Sequence, residues 1–81
     1  MKIDCSGTRF CGNLQYLRKK RGMSRLELAR QVGIPRSLLK MLEEAEVVPA
    51  LEYELLERIC QALHVTLEEL LHITLEELLH R

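Results

Sequence analysis

Eleven positions separate Gly22 from Gly33, and the residues between them are punctuated at both ends. Gly22 follows Lys19-Lys20-Arg21, a basic run that suits a helix C-terminus, where cations meet the negative end of the helix dipole. Ser24 then offers an N-cap, and Glu27 three residues on completes a capping box in which two side chains satisfy donors left open at a helix start. Gly33 stops that helix with the left-handed backbone a tight turn requires. The chain must therefore set one short helix, about 25 to Val32, between two sharp corners. Its apolar residues Leu28, Ala29 and Val32 have to be buried by whatever lies before and after it.

Those neighbours also read as helices. Phe10, Leu14 and Leu17 fall at i, i+4 and i+7, one face of a helix of about residues 11 to 21. After Gly33, Ile34 turns inward and Pro35 fits a cap or first turn, where a missing N–H does no harm. Leu39 and Leu42 supply the inner contact of a third helix that ends near Glu43 or Glu44. Residues 45 to 50 lack helical spacing and read as a loop. A fourth helix runs from Leu51 or Glu52 to Leu63, with Leu55, Leu56, Ile59, Ala62 and Leu63 inward. Seventeen leucines and only three aromatic residues in 81 agree with packed helices rather than strands. A chain of this length forms one small domain and leaves no room for a deep enclosed active site.

The end of the chain says one phrase twice, His64-Val-Thr-Leu-Glu-Glu-Leu-Leu71 and His72-Ile-Thr-Leu-Glu-Glu-Leu-Leu79. In a single helix the second copy would be turned by roughly 80° relative to the first. One amphipathic helix over 66 to 80 accommodates this, and so do two short helices, each with its own Thr and Glu cap. Residues 1 to 9 carry little apolar material and read as an arm, residues 10 to 71 as the domain, and residues 72 to 81 as a C-terminal helical extension.

Zero net charge conceals a division. Residues 1 to 41 hold ten basic side chains against two acidic ones, a net +8, and residues 42 to 81 hold two basic against ten acidic, a net −8. One half is suited to a polyanion and the other is not. The three cysteines are odd in number, and no apolar run approaches the roughly 20 residues of a membrane span, so free thiols in a reducing cytoplasm are expected.

The ordered set Leu17-Arg18, Gly22, Ser24, Leu28-Ala29, Gly33-Ile34, Leu39, Leu42-Glu43, Pro49 and Ala62-Leu63 resembles the helix-turn-helix domain of lambdoid phage repressors and Cro, the XRE-type family, over about residues 10 to 71. The resemblance implies an all-α fold: a five-helix repressor-like bundle, here with an extra C-terminal helical segment. It implies a sequence-specific regulator of transcription that inserts helix three, about residues 36 to 43, into the major groove of double-stranded DNA, commonly as a homodimer on paired half-sites. Carried over by position, Arg18 and Glu43 form a structural ion pair from helix one to helix three. Arg25 is expected to meet phosphate at the start of helix two. Arg36, Ser37, Lys40 and Met41 are expected to face base edges, where long donors reach guanine N7 and O6.

Some residues depart from that pattern. Glu44 and Glu46 stand where the family tends to be basic, and Leu26 and Leu38 where it is commonly polar. They favour a rival reading, a helix-turn-helix scaffold that serves as a protein-interaction or dimerisation module with weak or no DNA binding. The second Leu-Glu-Glu-Leu-Leu segment leaves Leu75, Leu78 and Leu79 without an obvious partner in so small a core, which suggests a homodimer interface. Cys60 and His64 lie four apart, but no CxxC pair accompanies them and no metal is expected. The histidines lack catalytic partners, and no Gly-rich phosphate loop is present, so neither an enzyme, a cofactor nor a small-molecule ligand is expected.

Overall fold

The computed structural model describes residues 1–48 and 50–80, including the side chains of all of these except Leu75 and Leu78. Along the chain stand β1 (Lys2–Ile3), α1 (Phe10–Lys20), α2 (Arg25–Val32), α3 (Arg36–Glu44), β2 (Leu51–Glu52), α4 (Tyr53–Leu63), α5 (Leu67–His72) and α6 (Leu75–Leu79). The capping box of α2 is present in full. Ser24 Oγ accepts from the Glu27 N–H at 3.1 Å, and Glu27 Oε1 accepts from the Ser24 N–H at 3.1 Å. Gly33 closes the helix at φ 84°, where its N–H donates to the Ala29 carbonyl at 2.8 Å. Pro35 is the N-cap of α3, and the chain leaves that helix at Ala45 in extended backbone.

The core gathers the inward stripes of α1 to α5. Phe10, Leu14, Leu28, Leu39, Leu42, Leu56, Ile59 and Leu70 are all fully buried. α1 packs on α3 and α5, while α2 packs on α3 and α4, so α3 is held from both sides and keeps only its outer face free. Cys60 is buried in α4 and Ala62 only half-buried, a small rotation of that helix from its expected inward row. α4 ends at His64, which adopts the left-handed conformation at φ 58° that glycine usually supplies.

Two regions differ from the sequence reading. The first nine residues are tied to the body rather than standing away as an arm. Lys2 pairs with Glu52 and Ile3 with Leu51 in a short antiparallel ladder, the Tyr53 N–H donates to the Met1 carbonyl at 2.8 Å, and Cys5 is buried. The physical reason is that Ile3 and Cys5 cover apolar surface beside Leu51 that the helices leave open.

The repeated phrase forms two short helices, the second of the two arrangements left open. Both carry threonine caps: Thr66 Oγ1 accepts from Glu69 N–H at 3.1 Å and Thr74 Oγ1 from Glu77 N–H at 3.2 Å. Between them Ile73 is extended and buried, which a continuous helix would prevent. Asn13 fixes this junction. Its buried amide Nδ2 donates at 3.0 Å to the carbonyls of both Leu70 and Ile73, with Glu69 O at 3.5 Å. The backbone of Arg9 adds a bond to Leu71 O at 2.8 Å.

Candidate nucleic-acid interface

The outer face of α3 is built by the helical period alone. Leu39, Leu42 and Glu43 are buried, so Arg36, Ser37, Lys40 and Met41 turn outward, and all four are exposed. Leu38 is half-buried at the edge of this face. The start of α2 lies beside it. Arg36 shares with Gln15, Lys19, Ser24, Arg25 and Leu26 the wall of an open concavity where α1, α2 and α3 meet. Ser24, Arg25 and Leu26 bring the N-terminus of α2, the positive end of its dipole, to the wall of this concavity. A concavity lined by four cationic side chains, with Arg18 the fourth beside Lys19, Arg25 and Arg36, and by a helix N-terminus is suited to a phosphate.

Gln15 and Lys19 were absent from the candidates read from the sequence. Their i, i+4 spacing on the outer face of α1 was visible there, but only the packing of α1 against α3 shows that this face adjoins Arg36.

Beneath the concavity lies the Arg18–Glu43 pair. Arg18 Nε donates to Glu43 Oε2 at 2.6 Å and Nη2 to Oε1 at 3.0 Å, a bidentate fork, and Nη1 donates to the Met23 carbonyl at 2.8 Å. The Glu43 side chain is fully buried. Burial alone would push its carboxyl up, but the hydrogen bonds and charges of Arg18 and Arg25 outweigh that and hold it below the ordinary carboxylate range. Arg25 is thus not an isolated surface cation. Its Nε donates to Glu43 Oε1 at 3.0 Å, and its Nη2 lies 3.6 Å from Glu44 Oε1.

One buried carboxylate therefore ties α1, the start of α2 and the end of α3 into a single unit whose outward parts are a basic concavity and the exposed row of α3. This is the helix-turn-helix arrangement, and the family model for the Cro/C1-type HTH DNA-binding domain matches residues 13–79. The chain belongs to that family. Cro/C1-type domains are DNA-binding regulators of transcription, and this is one of them.

Solved structures agree. The restriction-modification controller protein C.AhdI from Aeromonas hydrophila is 26% identical, with a TM-score of 0.67 covering 76% of this chain and 91% of that one. The master regulator for biofilm formation SinR, solved in complex with DNA, is 27% identical with a TM-score of 0.66, covering 75% and 95%. The hypothetical transcription factor NHTF from Neisseria is 26% identical with a TM-score of 0.73, covering 100% of this chain and 93% of that one. No curated protein matches this Cro/C1-type chain.

The proposed interface leucines lie away from this face. Leu79 is exposed on α6, while the side chains of Leu75 and Leu78 lie outside the described residues. Leu26 is exposed beside the basic concavity and Glu46 in the loop after α3. The three cysteines are free thiols, and burial pushes each of them up, which keeps them protonated near neutral pH. No helix among the described residues is long and apolar enough to cross a membrane.

Proposed function

We propose that this Cro/C1-type domain is a sequence-specific, non-enzymatic transcriptional regulator acting in the cytoplasm as a homodimer, with α3 in the major groove of double-stranded DNA. The exposed row Arg36, Ser37, Lys40 and Met41 carries this reading, because it is the one face of α3 left free by its neighbours. In the groove, Arg36 and Lys40 donate to guanine N7 and O6, Ser37 serves several bases, and Met41 offers an apolar contact to a thymine methyl. Lys19, Arg25 and the first turn of α2 hold the phosphate backbone and set the register of α3 without reading sequence.

The test is a mobility shift with genomic fragments over a range of salt, followed by footprinting of the bound fragment. Wild-type protein is expected to protect a discrete site. Arg36→Ala and Lys40→Ala are each expected to weaken that site by about 1 to 3 kcal/mol while leaving the melting temperature unchanged, since both side chains are exposed. Undiminished protection by the double variant would show that α3 does not read the groove.

A further inference from the structure

The end of α3 presents two consecutive carboxylates in different states, and both touch Arg25. Glu43 is buried and fully engaged: Oε1 accepts from Arg18 Nη2 and Arg25 Nε, and Oε2 from Arg18 Nε. Glu44 is about half exposed, and its carboxylate rests on Arg25 Nη2 at 3.6 Å. Nε makes the Arg25 hydrogen bond to Glu43, Nη2 makes the 3.6 Å ion pair with Glu44, and the Arg25 side chain, one-fifth exposed, borders the open basic concavity. The guanidinium is a planar fork of five donors whose directions are fixed relative to one another. With Nε anchored on an immobile carboxylate, its remaining edge is aimed rather than free to search.

We propose that Glu44 is a built-in competitor for DNA phosphate: Glu43 positions Arg25 at the phosphate site, and Glu44 occupies the guanidinium edge that a phosphate oxygen would take. The inference rests on the functional reading above and deepens it. A carboxylate and a phosphate oxygen present the same acceptor chemistry to a guanidinium, and the phosphate carries it with greater local charge density along the duplex. DNA therefore displaces Glu44 but not Glu43, because Glu44 can swing into water from its half-exposed position while Glu43 cannot leave without stranding Arg18. The exchange lowers affinity for every duplex alike, and it makes Arg25 release less than a full counterion on binding. A domain restrained in this way holds unspecific DNA weakly and depends more on the contacts of α3.

A double-mutant cycle on a mixed-sequence synthetic duplex tests the proposal, with affinity measured against salt for wild type, Glu44→Gln, Arg25→Gln and the combined variant. Glu44→Gln is expected to raise affinity about threefold to fivefold and to steepen the salt slope by up to about one counterion. In the Arg25→Gln background the same substitution is expected to change affinity by less than about twofold, since the displaced partner is gone. Glu46→Gln, which alters charge in the neighbouring loop without touching Arg25, is expected to give the same small gain in both backgrounds. Should Arg25→Gln fail to fold, Arg25→Met replaces it, because a methionine keeps the apolar stem and removes the charge. Equal gains from Glu44→Gln in both backgrounds would overturn the competition and leave the functional reading standing. No affinity for any duplex in any variant would overturn both.

Discussion

Glu43 shows how one residue can set the geometry of a whole surface. Its carboxylate, wholly removed from water, neutralises Arg18 and shares an oxygen with Arg25. Removing one partner of such a buried group leaves charges stranded, so Glu43→Gln is expected to destabilise the domain by about 3 kcal/mol at neutral pH, measured by urea unfolding. The pH dependence has a definite direction. The folded-state pKa of Glu43 is depressed, so its contribution is complete well above the ordinary carboxylate value and is lost as pH falls through the lower folded value. Asp4 and Glu27 are lowered as well, chiefly by the Ser6 and Ser24 backbone N–H groups respectively, and they add to the same acid loss. The stability of wild type is therefore expected to fall more steeply below about pH 4.5 than that of Glu43→Gln; parallel curves would show that Glu43 titrates normally. At this scale the sequence is informative where helical period decides. The outward row Arg36, Ser37, Lys40 and Met41 follows from burying Leu39 and Leu42. The Arg18–Glu43 link came from the resemblance rather than from any spacing. The seizure of Arg25 by Glu43 and Glu44 was not legible, because residues 18 and 19 positions apart meet only when α2 and α3 close their corner.

Among elements, those specified by local chemistry matched their expectation closely. α2 begins after Ser24 and ends at Gly33 because the capping box and the left-handed corner need no distant partner. The tail is different, since its two arrangements have the same local propensities and the choice falls to a residue 57 positions away. Asn13 lies on the inner half of α1, where an amide is costly unless bonded, and it is satisfied by the carbonyls of Leu70 and Ile73. That bond requires the chain to break at Ile73. The docking of residues 1 to 9 was hidden for the same reason: two-residue strands have no pattern of their own, and Lys2 meets Glu52 only after α4 is in place. Asn13→Leu keeps the volume but removes the donors, so it is expected to cost about 1 to 3 kcal/mol and to loosen α5 and α6 selectively. Limited proteolysis is expected to cut the variant between α4 and α6 much faster than wild type. Retention of wild-type resistance would mean that packing of Leu70, Leu71 and Ile73 holds the tail without the amide.

For the whole molecule, size sets the terms. The longest extent of the Cα trace is 31 Å, and each chain offers one α3, whereas successive major grooves on one face of a duplex lie about 34 Å apart. One copy thus covers one half-site, and occupancy of two requires a second copy whose α3 is set at that spacing by a two-fold interface. The acidic half of the chain supplies α4, α5 and α6, and α6 lies at its extremity with Leu79 exposed to 64%. The structure also shows where that segment can be divided from the body. Ile73 is buried and bonded through its carbonyl to Asn13, so a chain ending at Leu71 would damage the domain itself, whereas one ending at Thr74 keeps the anchor and removes only α6. If α6 forms the two-fold contact, sedimentation of the full chain is expected to give a dimer and the chain ending at Thr74 a monomer with an unchanged helical fold. The shortened chain is also expected to lose cooperative binding to paired half-sites while keeping its affinity for a single one, because α1, α2 and α3 are untouched. Equal masses for both chains would place the interface elsewhere. A monomer at all concentrations, together with tight binding of a single half-site, would mean that the domain reads DNA one groove at a time.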